Sequence, residues 1–211
     1  MTIESWQRVH PVHALWYRRN PFDERSTLRL LRSLDEELDW QRPDITLFGK
    51  RHPIPRSQVW MGAPDRRYRY SRTLFIPSPW RADLAELCQR VDAQAKALAA
   101  SLGWPVPAPL DSVLINRYQN GDQRMGWHSD DEPELGFDPL IVSLSLGAAR
   151  VMRFRPRPGT AGEPFGLSLE HGALLVMGPG VQRALQHALP PRKGAGLRIN
   201  LTFRAIRHPA G

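Results

Sequence analysis

The sequence predicts an α+β fold that is mainly β, and three observations lead there. From Ser112 onward, about seven short apolar runs are separated by Gly- and Pro-rich turns, the pattern of a sandwich or jelly roll. Ahead of them, two stretches repeat leucines at helical spacing, enough for two helices that would cover one sheet. With 211 residues and 41% hydrophobic content, the chain can support one domain with a sizeable core.

Residues 1–22 mix aromatics, His and Pro without a period, and read as an arm lying over the domain or partly disordered. Asp23 is the expected N-cap of a first helix with Leu28, Leu31, Leu34 and Leu38 on its buried face, ending near Trp40 to Pro43. Residues 45–49 read as a short strand or hairpin arm, and the two prolines within 52–58 mark an extended loop. Residues 66–72 alternate basic and aromatic side chains before a strand over 73–76. Ser78 and Pro79 are expected at the N-cap and first turn of a second helix. Its buried stripe is Leu84, Leu87, Val91, Ala95, Leu98 and Leu102, and Gly103 closes it. Strands are then expected over 112–118, 139–146, 150–154, 165–169, 173–177, 183–189 and 197–204, with a turn at Asn120-Gly121 and a surface loop between Arg155 and Pro164. The chain is expected to be one domain: an arm at 1–22, helices and connecting segments at 23–110, and the β core at 111–206.

No apolar run approaches the roughly 20 residues that span a bilayer, and the N-terminus lacks the basic start and apolar core of a secretion signal. A cytoplasmic monomer is the expectation. Cys88 is the single cysteine, which excludes an internal disulfide and argues against cysteine-ligated zinc or iron–sulfur sites. Its place in a helical apolar pattern marks a buried structural thiol. A net charge of +8 and a pI near 10.5 favour phosphate-rich partners. Lysine occurs only at 50, 96 and 193, so the positive charge is almost all arginine, whose planar fork suits phosphate oxygens. A composition rich in Arg, Ala and Pro together is the competing explanation for that ratio.

The chemistry centres on the stretch from Asn116 to Glu132. His128 and Asp130 are two residues apart, so in extended backbone both project from one face and can hold one metal ion. His187 supplies a third ligand from a distant strand. Two His and one carboxylate form the facial triad of non-haem Fe(II) oxygenases, which leaves positions open for a cosubstrate and O2. Arg198, Asn200, Thr202 and Arg204 lie at period two on a strand otherwise made of Ile, Leu and Phe. Two guanidinium groups on the inward face of an apolar strand are costly unless an anion meets them, and a dicarboxylate would do so.

These residues carry a family resemblance. His128-Ser-Asp130, His187 and the run Arg198-x-Asn200-x-Thr202-x-Arg204 resemble the signature of the AlkB family of Fe(II)- and 2-oxoglutarate-dependent dioxygenases, over roughly residues 45–206. The resemblance implies a double-stranded β-helix (jelly roll) with the metal at its open end, two N-terminal helices on one sheet, and a nucleotide-recognition lid within 23–110. It implies Fe(II), 2-oxoglutarate and O2 as cofactor and cosubstrates, with His128, Asp130 and His187 on the metal. Arg198 would pair with the distal carboxylate of 2-oxoglutarate. Asn116, Tyr118, Asn200, Thr202 and Arg204 would complete that site, although ordinary strand packing also accounts for Asn116 and Tyr118.

For substrate, the resemblance implies oxidative demethylation of 1-methyladenine and 3-methylcytosine in DNA, with release of formaldehyde, succinate and CO2. An alkylated adenine or cytosine is cationic, so Asp131 and Glu132 would select it over its neutral parent; as solvated turn residues they would do nothing of the kind. Reading a base within a duplex requires flipping it out onto aromatic surfaces. Tyr70 matches the residue that stacks on the flipped base opposite His128, with Tyr68 and Ser71 beside it. Phe48 resembles the aromatic finger of the duplex-preferring branch, and a core phenylalanine is an equal reading. Arg56 and Gln58 sit on the same matching segment. With Lys50, Arg51, Arg66, Arg67, Arg69 and Arg72, Arg56 also forms a candidate phosphate-contacting group. Relatives often carry a bulky aromatic where this chain has Leu185, which puts the packing around the iron or pocket floor in question. Two other readings stay open: the same oxygenase chemistry on RNA or a protein side chain, and a non-catalytic nucleic-acid-binding module on a degenerate fold.

Overall fold

The computed structural model describes residues 5–47, 50–65, 68–70, 73–75 and 77–207. Strands β1 (Gln7–Arg8) and β2 (Leu15–Arg18) precede helix α1 (Glu24–Glu37). The hairpin of β3 (Asp44–Leu47) and β4 (Lys50–Pro53) leads into β5 (Ser57–Gly62), and a second hairpin, β6 (Tyr68–Tyr70) with β7 (Thr73–Phe75), leads to helix α2 (Ala82–Ser101). The remainder is β8 (Ser112–Tyr118), β9 (Met125–His128), β10 (Ile141–Gly147), β11 (Arg150–Pro156), β12 (Phe165–Leu169), β13 (Leu174–Met177), the one-turn α3 (Val181–Ala184), β14 (Leu185–Leu189) and β15 (Arg198–Arg204).

The strands form two main antiparallel sheets. One has seven strands in the order β1-β2-β13-β10-β15-β8-β5, and the other four in the order β12-β11-β14-β9. One apolar cluster lies between the sheets, with Leu114, Ile141, Leu175 and Met177 of the larger meeting Met152, Phe154 and Leu169 of the smaller. The other lies on the far face of the larger sheet, where Val142, Leu144, Ile199, Leu201 and Phe203 pack with Leu34 of α1 and with Leu84, Val91, Ala95 and Leu98 of α2. This is the expected mainly-β jelly roll with two helices on one sheet. Because the larger sheet is covered on both faces, all seven residues of β15 are buried, and only its alternation reveals which face is polar.

Local details differ from the sequence expectations. Residues 7–8 and 15–18 are not an overlying arm: β2 pairs with β13 and extends the larger sheet, with Leu15 and Tyr17 buried between the sheets. Asp23 does cap α1, accepting from the Ser26 N–H at 2.7 Å. Leu28, however, is 41% exposed, and Thr27 takes the buried position one residue earlier. Ser78 does not cap α2. Its backbone bridges the edge of β5, its N–H donating to Trp60 O and its carbonyl accepting from Gly62, which delays the helix to Ala82. Gly103 closes α2 in the left-handed conformation at φ +65°. Cys88 is buried as expected. No described helix is long and apolar enough to cross a membrane.

Candidate metal and cosubstrate site

The site lies between the sheets, and the strand registers assemble it. His128 ends β9 and pairs directly with His187 of β14, bringing the two rings to 4.2 Å between centroids. Asp130 lies two residues past the strand, and its Oδ2 is 3.7 Å from His187 Nε2. One donor atom from each of His128, Asp130 and His187 falls within 4.8 Å of the others. His128 Nδ1 faces the Gly126 carbonyl at 2.9 Å, so Nδ1 carries the proton and Nε2 keeps its lone pair. Burial, and then neighbouring His128, holds His187 down at about 3, so its ring is neutral. Burial also lowers His128. For Asp130, burial acts upward, but the Arg204 guanidinium, which also donates a hydrogen bond to it, holds the carboxyl below its ordinary range. Two neutral imidazoles and one ionised carboxylate at this spacing fit a divalent metal ion.

Beyond the triad, β15 and β8 line the cleft. Register pairs Arg198 with Tyr118 and Asn200 with Asn116, and Arg198, Asn200, Thr202 and Arg204 face inward together. Arg198 is 1% exposed and meets no carboxylate among the described residues. Its Nη1 and Nη2 reach Leu169 O at 3.3 Å and Ser145 Oγ at 2.8 Å, while the buried Nε has no hydrogen-bond partner. Burial, opposed by Tyr118 and reinforced by Arg150, lowers it to about 10, which leaves it charged. A buried cation with an unused donor is a site for an anion, and the cleft places it across from the metal triad. Burial also raises Tyr118, which keeps its hydroxyl protonated beside it.

Not every inward residue keeps a donor for the cosubstrate. The Asn200 Nδ2 hydrogens go to Ser143 Oγ (2.8 Å) and Leu144 O (3.0 Å), and Oδ1 accepts from Thr202 Oγ1 at 3.1 Å. This pair organises the cleft wall. Arg204 serves the metal side, its Nη2 donating to Asp130 Oδ1.

The expected substrate residues fall in three places. Arg56 and Gln58 are buried beside the cleft and bonded to each other, with Arg56 Nε donating to Asn116 Oδ1 at 2.6 Å. Arg56 is therefore no surface phosphate contact. Asp131 is exposed and sits 2.5 Å from Arg157 Nη1, just past β11, while Glu132 lies partly buried beside it. Tyr68 and Tyr70 pair with Phe75 and Thr73 in the second hairpin, and Arg69 lies between them. Phe48, Ser71, Arg66, Arg67 and Arg72 lie outside the described residues. Of the remaining basic residues, Arg51 pairs with Asp44 at 3.2 Å.

Two further residues belong to this region that the sequence motifs do not include. Gln182, on one-turn α3, is 1% exposed and accepts the Asp130 N–H through Oε1 at 2.9 Å. Arg150, 1% exposed, donates to the carbonyls of Pro190 (2.6 Å) and Gln123 (3.0 Å), closing the deep end behind Tyr118. A charged residue in an apolar strand was the available cue for Arg150, as it was for Arg198.

A jelly roll holding a His-x-Asp…His triad opposite a buried arginine defines the class of 2-oxoglutarate- and iron-dependent oxygenases. Accordingly, the family model "2OG-Fe(II) oxygenase superfamily" matches residues 14–204. The mouse protein "DNA oxidative demethylase ALKBH2" is 34% identical over 188 residues, covering 84% of this chain and 74% of its own length. Human "Alpha-ketoglutarate-dependent dioxygenase alkB homolog 3" is 34% identical over 191 residues, covering 84% of this chain and 60% of its own. In fold, a solved structure titled "The structure of OsALKBH1" superposes with a TM-score of 0.67 at 17% identity, covering 96% of this chain and all of that one. The chain belongs to the AlkB family of Fe(II)- and 2-oxoglutarate-dependent dioxygenases.

Iron with 2-oxoglutarate and O2, when bound, supplies oxidation of a C–H bond coupled to decarboxylation of the cosubstrate. The protein's part is geometric and electrostatic. His128, Asp130 and His187 would hold the metal, Arg204 keeps Asp130 ionised, and Arg198 with Tyr118 would anchor the far carboxylate of the cosubstrate. Apolar walls from Leu114, Met152 and Met177 limit water in the cleft.

Proposed function

We propose that this protein oxidatively demethylates N-alkylated bases in DNA, 1-methyladenine and 3-methylcytosine among them, releasing formaldehyde, succinate and CO2 and restoring the unmodified base. The observation that carries the reading is the 34% identity, over 84% of the chain, to a protein named as a DNA oxidative demethylase, combined with a complete triad and anion site. The net charge of +8 supports a polyanionic substrate. In this reading the two hairpins form the nucleotide-recognition lid, Tyr68, Tyr70 and Ser71 receive the flipped base, and Asp131 and Glu132 favour its positive charge. Phe48 acts as the finger that fills the vacated stack. The protein acts as a cytoplasmic monomer.

The test incubates the protein with Fe(II), 2-oxoglutarate and ascorbate on matched single- and double-stranded DNA and on RNA, each carrying 3-methylcytosine, and quantifies restored cytosine by mass spectrometry. Restoration on DNA that needs both iron and 2-oxoglutarate supports the reading. Restoration on RNA alone would overturn the DNA assignment, and restoration on none would overturn the nucleic-acid reading. Phe48→Ala should lose activity on duplex while retaining more on single strands.

A further inference from the structure

We infer that Arg56 is a positioning residue of the cosubstrate site, holding Asn116 so that its amide donors, and not its carbonyl oxygen, face the cleft. The inference rests on the assignment of Asn116 to 2-oxoglutarate. Arg56 leaves the chain between β4 and β5 and is 3% exposed. Its Nε donates to Asn116 Oδ1 at 2.6 Å, and its Nη2 donates to Gln58 Oε1 at 3.3 Å. Gln58 and Asn116 are themselves partners across the β5–β8 ladder, so the guanidinium spans two amides on adjacent strands. The backbone carrying it is tied down, with Pro55 O accepting from the Arg124 N–H at 3.0 Å and Ile54 fully buried.

A primary amide is nearly symmetric in shape but not in chemistry: one end accepts and the other donates. An anionic cosubstrate needs the donating end. Left alone, Asn116 could rotate by half a turn and set its oxygen against a carboxylate oxygen. A guanidinium has donors only, so Arg56 is compatible with just one of the two orientations. With Oδ1 fixed on Arg56, the Nδ2 hydrogens lie on the opposite side of the planar group. Asn116 lines the cleft with Tyr118 and Arg198, which places that donor where the cosubstrate would lie. Asn200, directly opposite on β15, shows the contrasting case, because its donors are consumed by β10. Of the two inward asparagines, Asn116 is the one whose polarity is set for a ligand.

The experiment measures 2-oxoglutarate affinity by calorimetry on the full chain with Mn(II) in place of iron, alongside methylated-oligonucleotide affinity by fluorescence anisotropy. The set comprises the wild type, Arg56→Ala, Arg56→Lys, Asn116→Ala and the Arg56→Ala/Asn116→Ala double variant, each checked for cooperative thermal unfolding. Arg56→Ala should weaken 2-oxoglutarate roughly tenfold, the order of one lost hydrogen bond to a charged group. Oligonucleotide affinity should stay within about twofold, and the double variant should be no weaker than Asn116→Ala alone, as for residues acting through one contact. Arg56→Lys, which keeps a cationic donor, should recover part of the loss; it carries the comparison if Arg56→Ala does not fold. Unchanged 2-oxoglutarate affinity with weakened oligonucleotide binding would overturn the inference and return Arg56 to phosphate contact. If Asn116→Ala binds 2-oxoglutarate as the wild type does, the assignment of Asn116 itself fails. If Asn116→Ala weakens binding and neither Arg56 variant does, only the role of Arg56 fails.

Discussion

Arg204 on β15 donates from Nη2 to Oδ1 of Asp130, so the carboxylate of the metal triad is held by the same strand that carries the buried Arg198 six residues earlier. One strand thereby fixes both ends of the cleft. Arg204→Gln should lower Fe(II) affinity by about 10- to 100-fold, the usual cost of losing the partner of a metal ligand. Competition with a chromophoric chelator measures it. Wild-type affinity in that variant would show that Asp130 needs no partner.

Arg198 would be the deep anchor of the cosubstrate. Replacing it with Met keeps volume but removes the charge and the orphaned Nε, and should weaken 2-oxoglutarate by roughly 1.5–3 kcal/mol, the range for a hydrogen bond to a charged group. Calorimetry in the presence of Mn(II) would read this as about a tenfold to hundredfold rise in Kd. Metal affinity without the cosubstrate should not change.

His171 links α1 to the larger sheet, and its contribution should depend on pH. Its Nδ1 accepts from the Gly147 N–H at 2.9 Å, so Nε2 carries the proton and donates to Thr27 Oγ1 at 2.8 Å. Burial, opposed by Glu24, lowers its pKa below the ordinary histidine value. The unfolded chain therefore takes up the proton first, and the stabilisation is complete above the ordinary value. It is lost as pH falls from there through the lowered folded value. Denaturant midpoints measured from about pH 7.5 down to about pH 5 should fall more steeply for the wild type than for His171→Gln. Parallel slopes would count against the bridge.

Burial, with Asp92 and Asp111, pushes the Cys88 thiol up to about 12, and the thiol donates to Leu110 O at 3.4 Å. The native protein should resist a thiol-specific reagent near neutral pH and label fully in denaturant. Rapid native labelling, followed by absorbance, would show that the packing of α2 on the sheet opens readily.

The sequence made the site legible where chemistry contradicted its surroundings. Arginines at period two in an Ile, Leu and Phe strand could only face a polar interior, and His128-x-Asp130 had to share a side. Residues whose role depends on distant partners gave no such sign. Arg56 read as a candidate substrate and phosphate contact until the pairing of β5 with β8 brought it onto Asn116. Gln182 lies on a helix too short to leave a period, and its contact with Asp130 crosses 52 residues. Leucine spacing located α1 but placed Leu28 inside, because the helix face is set by the sheet it meets and Thr27 found His171 there. The N-terminal strand was hidden for a similar reason: β2 is four residues long, and its pairing with β13 brings together residues far apart in sequence.

Oxidative demethylation is tested most directly by following succinate, formaldehyde and restored cytosine together during turnover on a 3-methylcytosine oligonucleotide. One succinate and one formaldehyde are expected for each base restored, with all three abolished by His187→Ala. Succinate formed at the wild-type rate without formaldehyde or restored base would contradict this expectation.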